Sequence, residues 1–144
     1  MDMTNTSTPH HGPRSRPSLQ TIVHWLALLG LCSAYLQGGI NKALDFPGAV
    51  QEMQSLGIAP PVLMACATIG LELTASLMIL TGYRRGLAAA MLACFTLAAS
   101  FIANRYWTLL PPMRNAMANA FYEHLGLVGG FVLVALRDWQ ARHP

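Results

Sequence analysis

Four runs of apolar residues, at about 19–40, 60–81, 86–104 and 119–137, constrain this chain more than any other feature. Each holds roughly 18–22 residues, close to the ~20 needed to cross ~30 Å of hydrocarbon at about 1.5 Å per residue. A soluble core would show shorter runs broken by charged faces. Charged residues make up only 10% of the chain and hydrophobic residues 53%, against roughly 25% charged residues in an average soluble protein. At 144 residues, one domain is expected. The expected fold is an all-α membrane protein, an antiparallel four-helix transmembrane bundle spanning 19–138. A polar N-terminal tail (1–18), expected to be disordered, precedes it, and a short C-terminal tail (139–144) follows it.

The net charge of +3 does not point to nucleic acid, because the nine basic residues track the loops and tails. With the N-terminus, the 82–86 turn and the C-terminus on one side, that side holds Arg14, Arg16, Arg84, Arg85, Arg137 and Arg142. The other holds Lys42, Arg105 and Arg114. Six against three fits both termini in the cytoplasm. The first apolar run is too long for a signal-peptide core and lacks a small-x-small cleavage site, so it reads as a retained helix. His10 and His11 read as part of the tail. Cys32, Cys66 and Cys94 fall in three different helices with no CxxC pair, and read as small apolar residues.

Helices in lipid associate through small residues and polar contacts. Helical spacing groups Gly30, Ser33, Ala34, Gln37 and Asn41 on the first helix, and Ala65, Thr68, Glu72, Ala75 and Ser76 on the second. It groups Ala89, Ala93, Thr96, Ser100 and Ala103 on the third, and Asn119, Glu123, Gly126 and Gly130 on the fourth. These four faces are expected to meet in an inner polar seam. Between the first two spans, Phe46, Val50, Met53 and Leu56 recur every three or four positions, which predicts a short amphipathic helix capping the bundle or lying on its surface. Arg105-Tyr106-Trp107 has the composition of an interfacial anchor.

Glu72 stands near the middle of the second run. A carboxylate at that depth costs roughly 3 kcal/mol even on lenient insertion scales, so it faces a protein interior. Its structural reading is a neutral carboxyl bonded to Thr, Gln or Asn. Its functional reading is a proton acceptor or the anchor of an apolar ligand. Lys42, reaching inward along its stem, and His124, on intrinsic pKa, are the candidate assisting groups. Gln37, Asn41, Asn119 and Glu123 complete a candidate ligand-binding chain descending from the outer surface. His24 and His124 lie toward opposite faces of the membrane, too far apart to ligate one haem iron, and the repeated His/Glu spacing of a zinc or di-iron site is missing. Neither a haem nor a metal site is expected.

Three stretches, GGINKALDF (38–46), GLELTASLMILTGYRRG (70–86) and FYEHLGLVGGFVLV (121–134), make the chain resemble the DoxX family of small four-helix bacterial membrane proteins. The matching positions are Gly39 and Lys42, Gly57 and Pro60, Glu72, Gly82 and Arg85, and Gly129-Gly130, over about 20–138. The resemblance implies a multi-pass protein of the bacterial inner membrane. It also implies a place beside quinone-coupled or oxidative-stress redox complexes, with a quinone as the ligand near Glu72 and membrane or redox proteins, or a second copy, as partners. The alternatives are a non-enzymatic scaffold or accessory subunit, and a small transporter or lipid-ligand isomerase.

Overall fold

The structure, a computed structural model, describes residues 18–143. It contains helices α1 (Leu19–Leu44), α2 (Phe46–Ser55), α3 (Pro61–Thr81), α4 (Arg85–Ala103) and α5 (Met113–Arg142), with one 3-10 turn at Tyr106–Thr108. Among the described residues, α1, α3, α4 and α5 are long and apolar enough to cross a membrane. Hydrocarbon offers the backbone no hydrogen-bond partner, so each span closes its own bonds as a helix. The four-helix bundle and the short helix between its first two spans are both present. The expected tail at 1–17, with His10 and His11, lies outside the described residues. Ser18 caps α1, its hydroxyl accepting from the Thr21 N–H at 3.2 Å.

The helices outrun their apolar segments. The 30 residues of α5 span about 45 Å, half as long again as the ~30 Å hydrocarbon layer. It therefore starts at Met113 rather than 119 and continues through Arg142. The tail expected from 139 is instead its last turn, closed by an Arg142 Nε–Asp138 Oδ2 ion pair at 2.9 Å. Likewise α1 ends at Leu44 rather than 40, which puts Lys42 in its last turn.

The joints are short and capped. Asp45 ends α1 by donating its N–H to Asn41 at 2.9 Å, and begins α2 by accepting the Gly48 N–H on Oδ1 at 3.1 Å. Pro47, in the first turn of α2, has no N–H to leave unpaired. The apolar side of α2 (Phe46, Ala49, Val50, Met53) packs with Met64 and Ala65 near the start of α3. Between α3 and α4, Gly82 caps α3 at φ 82°, a left-handed conformation that glycine adopts at low cost. Arg85 Nε donates to the Ile79 carbonyl at 2.9 Å, placing a cation at the C-terminal end of α3.

The transmembrane helices pack in the order α1–α3–α4–α5, and α1 meets α5 at only a few residues. The core runs through Leu28, Cys32, Tyr35, Ala75, Ile79, Ala88, Ala89, Leu92, Ala93 and Phe131. The expected faces hold for α3 in full and for α4 except Ala103, which is exposed. On the outer pair only Gly130 keeps an inward contact, against Leu31 of α1. Gly30, Ser33, Ala34, Gln37 and Asn41 are directed outward or lie at the surface, and α1 buries Leu28, Cys32, Tyr35 and Gly39 instead. On α5, Asn119, Glu123 and Gly126 are exposed, and the buried residues are Phe121 and Phe131. Aromatic side chains cover more area than the small-polar sets, and they win these faces: Tyr35 and Phe131 meet edge to face at 5.2 Å. Cys32 fills a core position as a small apolar residue, whereas Cys66 and Cys94 lie on exposed faces.

At Gly39 the backbone of α1 lies directly against side chains of α3, for an added Cβ would sit 2.8 Å from the Leu73 side chain, while at Gly30 nothing stands within 4 Å. Gly39→Ala should therefore lower bundle stability by about 1–3 kcal/mol through overpacking. Gly30→Ala, in the same helix, should be neutral or stabilising by up to about 1 kcal/mol. Equilibrium unfolding of both variants in mixed micelles measures the difference.

Candidate functional site

The last turns of α1 carry Gly38-Gly39-Ile40-Asn41-Lys42 against the middle of α3. Side chains on a helix lean toward its N-terminus, so Lys42 folds back over Gly38. An added Cβ at Gly38 would lie 3.5 Å from both Lys42 Nζ and Glu72 Oε2. Of the two glycines, Gly39 is the one whose missing side chain lets α1 sit against Leu73 of α3, while a Cβ at Gly38 would make only ordinary contacts with the pair. Lys42 Nζ donates to Glu72 Oε1 at 3.2 Å and Oε2 at 3.3 Å. The Lys42 side chain is 22% exposed and that of Glu72 is 8% exposed. Glu72 is therefore bonded to Lys42 rather than to a Thr, Gln or Asn side chain. Its partner is a cation, and the pair is a two-oxygen contact between one ammonium and one carboxylate.

A second polar cluster crosses the interior deeper in the bundle. The Tyr35 hydroxyl donates to Thr96 Oγ1 at 2.5 Å, and the Thr96 hydroxyl donates in turn to the Leu92 carbonyl at 2.6 Å. Ser100 donates to the Thr96 carbonyl at 2.7 Å. Tyr35 thereby links α1 to α4 through its hydroxyl and to α5 through its ring. Ser76 Oγ, fully buried on the Glu72 face of α3, has no hydrogen-bond partner among the described residues.

The remaining expected site residues stand apart from the ion pair. His124 Nδ1–H donates to the Ala120 carbonyl at 2.6 Å within α5, and its ring lies beside the Asn104 side chain at the end of α4. Gln37, Asn41, Asn119 and Glu123 are exposed, and none of the four forms a side-chain hydrogen bond among the described residues. At that end of the bundle Phe121 sits among Phe101, Tyr106, Trp107 and Tyr122 at centroid distances of 5.4–5.9 Å. This aromatic cluster has the composition of an interfacial belt.

Sequence reasoning missed Tyr35 and Asp138. A tyrosine inside an apolar run carries no charge to mark it, and Asp138 falls past the end of the fourth run. Asp138 Oδ2 accepts the Gly86 N–H at 3.0 Å, placing a carboxylate at the first turn of α4. An added Cβ at Gly86 would lie 2.8 Å from that same oxygen, so only glycine permits the contact.

The DoxX family model matches residues 25–105, which include Lys42, Glu72 and Tyr35 and exclude His124. The chain is also similar to the inner membrane protein YphA of Escherichia coli (strain K12), 26% identical over 111 residues, 77% of this chain and 79% of that protein. No solved structure matches.

Removing one member of a buried ion pair strands the other, at a cost of roughly 3–5 kcal/mol, while replacing both by apolar groups is often near neutral. Glu72→Leu alone and Lys42→Met alone should each lose stability on that scale, and the double variant should recover most of it. A double-mutant cycle read by unfolding in micelles checks this.

Proposed function

The chain belongs to the DoxX family, and on that premise we propose that it is a redox-associated subunit of the inner membrane that holds a quinone-like ligand at the Lys42–Glu72 pair. The observation that carries this reading is a partly accessible ammonium held on a buried carboxylate. Two charges in an apolar bundle contribute little net stability compared with packed hydrocarbon, which favours a use beyond packing. Glu72 accepts from Lys42 through both oxygens, and an ammonium has three donors. The donor left over suits the carbonyl oxygen of a quinone ring, whose apolar tail remains in lipid. Glu72 then serves as the acceptor of a proton released when the reduced ring is oxidised, and a partner protein takes the electrons. The termini face the cytoplasm in this reading, on the side holding Arg84, Arg85, Arg137 and Arg142.

A non-enzymatic accessory subunit is the second reading. It is favoured by the close approach of Gly39 to Leu73, which makes the ion pair a clamp between α1 and α3.

Titration of the purified full chain with a short-chain benzoquinone, followed by tryptophan fluorescence, separates the two. In the quinone reading Lys42→Met and Glu72→Gln each weaken binding roughly tenfold or more, the scale of one charge-assisted hydrogen bond, while Gln37→Leu changes nothing. Binding that is absent in the wild type, or equal in all four proteins, leaves the accessory reading standing.

A further inference from the structure

At the opposite end of the bundle, α1 and α5 part. They touch where Leu31 lies over Gly130 and where Tyr35 meets Phe131. Toward the end that carries the termini, a cleft of about 410 Å³ lies between them. Its walls are apolar at Leu28, Leu31, Leu133 and Val134, and its polar lining includes His24, Arg85 and Arg137. Arg85 is fixed by its Nε–H donating to the Ile79 carbonyl at 2.9 Å, with one terminal nitrogen beside Gly82, and it lines the cleft from α4. Arg137 forms no ion pair among the described residues. The one acidic group lining the cleft is Asp138, whose Oδ2 is already held by Arg142 Nε at 2.9 Å and the Gly86 N–H at 3.0 Å.

We propose that this cleft seats an anionic phospholipid, its phosphate between Arg85 and Arg137 and one acyl chain along Leu31, Leu133 and Val134. The arrangement has the polarity of that ligand: cations where the headgroup layer begins, and an apolar channel running from them into the hydrocarbon. Guanidinium groups bind phosphate oxygens through paired N–H donors, which suits them to this role better than a diffuse positive charge does. Basic pockets between transmembrane helices are a recurring headgroup site. A free phosphate would use the arginines but not the apolar wall. A lipid uses both, and it also covers the gap that the sparse α1–α5 contact leaves. A second cleft of about 490 Å³, on the far side of α5, is lined by Arg84, Trp139 and Arg142. There Arg142 is committed to Asp138, so the α1–α5 cleft is the stronger site.

The test uses the full chain purified in detergent, with phosphatidylglycerol, phosphatidylcholine or inorganic phosphate added. The readouts are lipid adducts in native mass spectra and the thermal unfolding midpoint. Phosphatidylglycerol is expected to be retained and to raise the midpoint, while phosphatidylcholine and inorganic phosphate do neither. Arg137→Gln should reduce phosphatidylglycerol retention about fivefold, Arg137→Lys should restore part of it, and Arg114→Gln, at the other end of the bundle, should leave it unchanged. Equal retention of the two lipids overturns the proposal, as does an equal loss in Arg137→Gln and Arg114→Gln. A midpoint shift with inorganic phosphate matching that with phosphatidylglycerol reassigns the cleft to a free anion and overturns the lipid. Because Arg137 is exposed and unpaired, its substitution leaves the fold in place, which the unfolding midpoint without lipid verifies.

Discussion

The contact between the Lys42 ammonium and the two oxygens of Glu72 is the interaction on which the arrangement of the bundle rests. An apolar helix in lipid gains little by choosing one rotation over another, since lipid tails and leucine side chains are equally apolar. A carboxylate on α3 removes that freedom, because only one rotation and depth of α1 brings a cation to it. Everything near the pair serves the same geometry. The last turn of α1 extends past the apolar run to carry Lys42, and Gly39 lets α1 sit close against Leu73 of α3.

Once α1 is fixed on α3, the rest of the bundle follows by contact between neighbours. Ser76 and Cys32 are fully buried on α3 and α1, and Tyr35 reaches across to Thr96 on α4 and Phe131 on α5. At the end holding the termini, Asp138 joins α5 to the first turn of α4 through Gly86, and Arg85 joins that turn back to α3. The hydrogen-bonded contacts among these satisfy polar groups that would otherwise be stranded in an apolar medium, which gives them both energy and direction.

The sequence makes the spans, their number and the α2 segment legible, because length and hydrophobicity decide these without reference to neighbours. It also makes legible the inward faces of α3 and α4. Those helices have a neighbour on each side, so one face of each is buried along most of its length, and the polar residues grouped on that face point to the interior. The outer helices were misread for the converse reason. α1 and α5 each have one well-packed side, and Gly30, Ser33, Gln37, Asn119 and Glu123 can face outward while Tyr35, Phe121 and Phe131 make the contacts. In the site, Glu72 and Lys42 stand out as charges at the edge and centre of apolar runs. Tyr35 does not, since its importance comes from two partners on helices distant in sequence.

The corner at Asp45 has a mechanical consequence. One side chain and one backbone N–H end α1 and begin α2 with no intervening linker, and Lys42 lies three residues before it. The short helix is therefore a crank on the shaft of α1. Its apolar side is seated on Met64 and Ala65, so any force that lifts or swings α2 becomes torque on the turn that holds the ammonium against Glu72. The state of the surface around α2 and the geometry of the buried charges are in this way one degree of freedom.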